Sequence, residues 1–446
     1  MRFIFDLLYL LAGLLYSPVI IYRMVRHQRY RRGWAQRLGR IRRRSPGKPC
    51  IWLHAVSVGE VNAAKTLIAE LESRFADFEI IISTTTDTGF ARAEAIFGSQ
   101  WTVCYFPFDF SAIMAGAFRR INPTLCLLME LEVWPNFVRV AQQRGVPVVV
   151  VNGRISDRSF ARYCRIKPVT RSFFGRIDLV LAQTAEYADR FRTLGCPADR
   201  IVVTNSLKYD TAPLAGGVEG TDTLARQLDL ADAPLWVAGG TGNEEEKIIL
   251  GVYQSLVRDE KLRQVRLAVV PRKPERFNEV AELIEQMGLP LVRYSRIKDA
   301  PPRADLDTDA VILGDTMGDL RRFYSLASVI FVGRSLVPMG GSDMMEAAAL
   351  AKCTLFGPHT FNFRQTVDAL LAGQGAVEVK DARELLVVVK QCLLEPDYAQ
   401  AVAQRGRQVI KDNQGATAKT IQHIAAILQG VHTTASRKPP APARTV

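Results

Sequence analysis

The chain has 446 residues, 48% hydrophobic and 23% charged, with a net charge of +13; this composition excludes a disordered or fibrous chain and leaves room for two cored domains. The charge is lopsided: residues 1–60 carry 12 Lys/Arg against Asp6 and Glu60, so ten of the thirteen net charges sit there. A basic body built for nucleic acid is thereby excluded, and seven scattered cysteines without a C-x-x-C pair exclude a disulfide framework or a zinc module.

Phe3 to Tyr22 is a mostly apolar run broken by Asp6 and Ser17-Pro18. At ~1.5 Å per residue, a helix of that length matches a hydrocarbon core of about 30 Å. A bilayer span is expected, with a helix lying in the interface as the alternative. The Arg-rich stretch from Arg23 to Arg44 follows. It places the body of the chain on the cytoplasmic side and adds attraction to anionic lipid, with Tyr22, Tyr30 and Trp34 suited to headgroups. A cleavable signal peptide carries its basic residues first, and this segment does not.

From residue 50 short apolar runs alternate with helical patterns. Strands are expected at 50–55, 79–83, 102–106, 124–129, 146–152 and 179–182, with a helix after the first carrying Val61, Ala64, Leu67, Ile68, Leu71 and Phe75 on one face. A second alternation has strands at 235–238, 265–270, 291–294, 310–313, 329–332 and 353–356, then helix from about 381 to 429. Two α/β domains with parallel sheets follow from this pattern. The expected boundaries are 1–48 for the anchor and basic segment, 49–210 for the first domain, 211–232 for a linker, 233–430 for the second domain and 431–446 for a disordered tail. Two such domains facing each other leave a cleft at the carboxyl ends of both sheets, where ligands bind.

Acids and glycines crowd those strand ends. Ser57-Val-Gly-Glu60 reads equally as a capping box and as a turn presenting Glu60 as a general base. Glu130 and Glu132 follow a strand, either as a pair facing the cleft or as solvated acids before a helix starting at Trp134-Pro135. The run from Val151 to Lys167 is dense in Arg and Ser, fit for an acidic acceptor or for a solvated basic helix. Lys208 is a cation for a developing anion or a surface lysine. In the second half, the turns 238–246, 270–277, 314–319 and 332–346 suit a nucleotide phosphate, although each alone is also a plain chain reversal. The 238–246 turn matches neither dinucleotide nor P-loop spacing. No G-x-S-x-G elbow and no metal-ligand spacing is present.

The apolar start, H-A-V-S-V-G-E (His54–Glu60), M-E-L-E-V-W-P-N (Met129–Asn136), N-S-L-K-Y-D (Asn205–Asp210), P-R-K-P-E-R-F (Pro271–Phe277), G-D-T-M-G-D (Gly314–Asp319) and F-G-P-H-T-F-N-F (Phe356–Phe363) occur in one order. Together, to about residue 430, they resemble the Kdo (3-deoxy-D-manno-octulosonic acid) transferases of lipopolysaccharide synthesis. The resemblance implies a GT-B glycosyltransferase of two Rossmann-like domains, the first for the acceptor and the second for CMP-Kdo. It implies Glu60 as catalytic base, with Glu130 and Lys208 stabilising the transition state. It assigns CMP binding to Pro271, Arg272, Met317, Gly318, Asp319 and the run Asp343, Met344, Met345, Glu346. The implied acceptor is a lipid A precursor (lipid IVA) at the cytoplasmic face of the inner membrane, with no metal and no cofactor beyond the donor. Ser342-Asp-Met-Met345 stands where the family usually reads H-N-P-L, Asp319 where Glu is usual, and the 238–243 turn lacks a common His. Two other readings are a GT-B enzyme using another nucleotide sugar and a non-catalytic lipid-binding scaffold.

Overall fold

The computed structural model describes residues 2–26, 32–214, 217–230, 233–299 and 307–435. The backbone forms two compact units, one of Met1–Thr211 with Gln414–Val446 and one of Ala212–Asn413. The first unit carries strands β1 Cys50–His54, β2 Glu79–Thr84, β3 Thr102–Tyr105, β4 Leu125–Met129, β5 Val148–Gly153, β6 Leu179–Ala182 and β7 Ile201–Val203. The second carries β8 Leu235–Thr241, β9 Arg266–Pro271, β10 Leu291–Arg293, β11 Val311–Leu313, β12 Val329–Val332, β13 Cys353–Phe356 and β14 Val377–Glu378. The expected strands are all present, three of them (179–182, 329–332 and 353–356) with the same ends and the rest shifted by up to three residues. β7 and β14 are additions, too short to show a period.

The first sheet is parallel in the order β3-β2-β1-β4-β5-β6-β7. Parallel strands covered on both faces read as unbroken apolar runs, and β5 begins as four consecutive buried valines. The pleat splits them: Val148 and Val150 join Trp52, Phe118 and Phe137 on one face, while Val149 and Val151 join Ile51, Leu53 and Leu67 on the other. Strand order reverses between β1 and β4, the switch point where open α/β sheets bind ligands. The second sheet, also parallel, runs β10-β11-β9-β8-β12-β13-β14 and reverses between β8 and β12.

The expected division differs at its edges. The C-terminal helical stretch is three helices, Ala382–Leu394, Pro396–Asn413 and Ala416–Ala435. The last belongs to the first unit, where Ala416, Ile421, Ile424 and Leu428 pack with Leu67, Ile68 and Leu71. Its start is held by the Asp210 carboxylate, which accepts from Gly415 N–H (2.7 Å) and Thr417 N–H (2.5 Å). The 211–232 segment belongs to the second unit and contains the helix Thr221–Gln227. Of the expected disordered tail, the helix reaches Ala435 and residues 436–446 lie outside the described residues.

The expected bilayer span is not supported. Arg2–Arg26 is a helix, but no helix among the described residues is long and apolar enough to cross a membrane. Its polar residues are engaged with the first unit instead. Asp6 accepts from Ser111 N–H (2.8 Å), Ser111 Oγ and Asn136 Nδ2 (3.1 Å), and Tyr9 donates to Asp109 (3.0 Å). Leu7, Leu8, Leu10, Leu11, Leu14 and Leu15 remain exposed. Part of the basic segment is likewise structural. Arg37 is buried over the Tyr105 ring, Arg43 pairs with Glu79 at 2.8 Å, and Arg44 donates to the Gly98 and Ser99 carbonyls. Residues 27–31, with Tyr30, lie outside the described residues.

Candidate active site

At the first switch point β1 runs into a tight turn that opens the helix Val58–Ala63. Ser57 is its N-cap: Ser57 Oγ accepts Glu60 N–H (3.4 Å) and donates to Glu60 Oε1 (2.9 Å), while Val56 N–H donates to Oε2 (2.9 Å). Glu60, the candidate base, is therefore also a member of the capping turn that Ser57 makes. Glu60 is 9% exposed, and no basic side chain forms an ion pair with it among the described residues. Burial, aided by the charge of Glu130, raises its pKa against the opposing hydrogen bonds of the turn.

Glu130 follows β4, the next strand across the switch point. Its φ of +52° lies in the left-handed region that costs a non-glycine residue energy. Strand alternation ends at Met129, so the two-residue spacing of Glu130 and Glu132 is not what aims them. Both still act on the same place. Glu132 has its pKa raised to about 7, first by burial and then by the charge of Glu60, with Glu130 adding to it. The reading of Glu132 as a solvated acid is thereby corrected. The helix start at Trp134-Pro135 is real, with Pro135 in its first turn and Asp109 accepting from Asn136 N–H (2.9 Å) and Phe137 N–H (2.8 Å). Burial lifts Asp109 to about 7.

Lys208 lies half-buried in the short helix Leu207–Asp210. That helix is tied to the same sheet edge by Leu207 N–H, which donates to Asn152 Oδ1 (3.0 Å) at the end of β5. Asn152 (φ +56°) and Asn205 (φ +70°) are also left-handed. Three strand-end residues thus hold positive φ along one edge, in a unit whose sequence shows no glycine at those places. The basic run 151–167 forms the helix Asp157–Arg165 with no buried residue, and Arg190 ties it down through Asp157.

His54 was not singled out by spacing, because a histidine ending an apolar strand reads as core. It is fully buried, stacked on Phe106 (centroids 3.8 Å apart), with Nε2 3.9 Å from Glu132 Oε2.

At the second switch point the glycine turns serve close packing. Gly240 (φ +66°) follows β8 residue Gly239, and a Cβ on Gly239 would lie 2.4 Å from Tyr324. Ser342 Oγ donates to Gly240 O (2.7 Å), pinning the turn after β12 to the one inside β8. Glu245, fully buried, accepts from the N–H groups of Arg334, Ser335 and Leu336. The acids here are already partnered. Asp319 accepts from Thr316 Oγ1 (2.6 Å) and pairs with Lys298 (2.9 Å) and Arg322 (2.7 Å), and these hold its pKa down against burial. Asp315 is held down likewise by Ser295 and Arg293.

Of the expected donor residues, Arg272 is exposed directly after β9, Met317 is exposed, and Gly318 (φ +94°) faces open space. The carboxylate of Asp319 is buried and paired, so what its turn offers is backbone. Met344 and Met345 are buried in the core at 0% and 3% exposure, which removes their side chains from ligand contact. Asp343 makes a turn by accepting Met345 N–H (2.9 Å), before a helix of only five residues that holds Glu346. Among the described residues no group of three or more His, Cys, Asp or Glu is placed to hold a metal ion.

A 3-deoxy-D-manno-octulosonic-acid transferase (kdotransferase) family model matches residues 32–211. A 3-deoxy-D-manno-octulosonic acid transferase of Haemophilus influenzae is 33% identical over 436 residues, covering 96% of this chain and 99% of the relative. The chain belongs to the Kdo transferases. A Bordetella pertussis member is 32% identical over 87% of this chain and 90% of its own. At the level of fold, a glycosyltransferase from Rickettsia africae superposes with a TM-score of 0.55 over 86% of this chain and 99% of its own, at 14% identity. A UDP-GlcNAc 2-epimerase from Neisseria meningitidis gives 0.55 over 84% and 100%, at 11% identity. This Kdo transferase is therefore a glycosyltransferase built of two parallel-sheet α/β units. Its Ser342 works as a clasp between the two glycine turns.

Proposed function

We propose that this Kdo transferase moves Kdo from CMP-Kdo to a hydroxyl of a lipid A precursor, with inversion at the anomeric carbon. Glu60 takes the proton of the acceptor hydroxyl as the oxygen bonds to the anomeric carbon and the bond to the CMP phosphate breaks. CMP departs as the anion. The observation that carries the assignment is Glu60 itself: a buried carboxylate at a switch point, oriented by its own capping turn, with no ion-pair partner and a raised pKa. Glu130, after the neighbouring strand β4, and Lys208, in the short helix tied to the end of β5, stabilise charge in the transition state. In the second unit Pro271-Arg272, the exposed backbone of Met317–Asp319 and the backbone of Asp343–Glu346 bind CMP, which needs no metal in this scheme.

The two units are those of a GT-B glycosyltransferase, and the enzyme works at the cytoplasmic face of the inner membrane. The helix Arg2–Arg26 lies along the bilayer surface, because Asp6 and Tyr9 bind the first unit while the leucines between and beyond them stay exposed. Anionic lipid and the phosphates of the acceptor meet the arginines of helix Asp157–Arg165, none of them buried.

Glu60→Gln, assayed by mass spectrometry of lipid IVA with CMP-Kdo, is expected to lower turnover by about 10²–10⁴-fold. Near-normal turnover would sink the assignment. The same assay counts the Kdo residues added.

A further inference from the structure

The imidazole of His54 holds a polar atom that the proposed mechanism leaves unused. Its Nδ1 lies 3.0 Å from the carbonyl oxygen of Ser83 on β2, an atom that can only accept, so Nδ1 carries the hydrogen. Ser83 Oγ, at 3.1 Å, already accepts Trp52 Nε1–H (2.9 Å) and has the Leu53 carbonyl (3.3 Å) for its own hydrogen. That leaves Nε2 as a bare lone pair, buried and without a hydrogen-bond partner. It faces Glu132 Oε2 at 3.9 Å.

A buried lone pair facing an ionised carboxylate with no hydrogen between them repels it, even though the Glu132 side chain keeps 23% exposure, whereas a carboxylic acid there has an acceptor waiting for its O–H. Charging the imidazole instead is disfavoured, since complete burial lowers His54 to about 3. Among the described residues, no Lys or Arg forms an ion pair with Glu132. Glu60 from the helix after β1 and Glu130 from its own loop are negative, Trp134 Nε1 donates to Oε2 (3.1 Å), and Tyr163 approaches from the helix Asp157–Arg165.

We infer that Glu132 is a positioning residue that works as a neutral carboxylic acid with its proton directed at Nε2 of His54, leaving Glu60 as the ionised member of the acid cluster. The inference rests on Glu60 being the base. Holding one acid neutral removes a negative charge from the place that an anionic donor approaches, and keeps the proton affinity of Glu60 from rising further. Burial and the like charges set the Glu132 acid to ionise near pH 7, so the benefit fades as pH rises past that point.

The test compares pH profiles of kcat/KM for the wild type, Glu132→Gln and Glu132→Ala with CMP-Kdo and lipid IVA. Gln is a neutral isostere whose amide donates to Nε2 as the acid would. Glu132→Gln is expected to stay within about threefold of wild type near pH 6 and to lose the alkaline decline, while Glu132→Ala falls by roughly tenfold or more at every pH. A loss by Glu132→Gln of about 100-fold near pH 6, or an unchanged alkaline decline, overturns the inference. A second readout does not depend on Glu60. In protein labelled with 15N-histidine, the one ring that responds to Glu132→Gln is expected to be the Nδ1–H tautomer, with its Nε2 resonance moving near pH 7 in wild type only. An Nε2–H tautomer, or a pH-independent wild-type resonance, refutes it. Active Glu60→Gln with the expected histidine spectrum would instead fault the base assignment alone.

Discussion

The two sheets reverse strand order in the same manner but treat acids at their switch points in opposite ways. In the first unit Glu60 is buried and Glu132 half-buried, neither in an ion pair with Lys or Arg among the described residues, on an edge where Glu130, Asn152 and Asn205 hold positive φ, and desolvation raises both acids. In the second unit Asp315, Asp319 and Glu245 are each met by arginine, lysine, hydroxyl or backbone N–H groups; the two aspartates are lowered, while burial still raises Glu245 against its three N–H donors. An acid left unpaired in the interior carries a standing cost, and such costs gather where chemistry needs a poised proton acceptor. An acid fully paired has given up its proton chemistry and become a brace. Under the proposed mechanism the difference separates an edge that reacts from an edge that holds a loop in shape.

The contrast can be broken from either side. Glu60→Gln should remove about 10²–10⁴-fold of turnover while moving the melting temperature little, because its turn keeps the Ser57 cap. Glu245→Ala should do the reverse. It orphans three buried N–H groups in the second unit and is expected to cost about 3 kcal/mol or more of stability, read as a melting temperature lower by roughly 6 °C or more. A stable Glu245→Ala with lost turnover would show that the brace had been misread. Asp319→Asn is a smaller change, leaving the bond with Thr316 possible but weakening those to Lys298 and Arg322. It should loosen the Met317-Gly318 turn and weaken CMP binding about tenfold, near 1.4 kcal/mol, with calorimetric titration as the measurement.

Much of this architecture was legible in the residues. Unbroken buried runs such as Val148–Val151 announce parallel strands, and the Ser57–Glu60 spacing announces the capping turn that the fold forms. What was not legible depended on contacts between distant segments. Asp6 looked like an interruption in an apolar run until it met Ser111 and Asn136. Arg37, Arg43 and Arg44 looked like lipid ligands, yet the fold uses them on Tyr105, Glu79 and the Gly98 turn. Met344 and Met345 sit within a donor motif but point into the core. The positive φ of Glu130 has no local signature, since glutamate is among the residues least expected there.

The subtlest prediction tests the neutral acid without any substrate. Glu132 in the folded chain binds its proton up to about pH 7, against an ordinary value of 4.5. Its contribution to stability is therefore complete below the ordinary value and is lost as pH rises through 7, where ionisation leaves a buried charge beside Glu60 and Glu130. Glutamine never ionises. Glu132→Gln should then match wild type near pH 4.5 and exceed it near pH 8 by about 1 kcal/mol, a value reduced from the full linkage because the side chain is 23% exposed. That corresponds to a melting temperature higher by about 2–4 °C. Asp109, which burial also lifts to about 7, titrates in the same window in both proteins, so the difference between them isolates Glu132. Parallel melting curves across that window would mean that Glu132 is ionised in the folded chain, and that the unpaired edge keeps all of its negative charge.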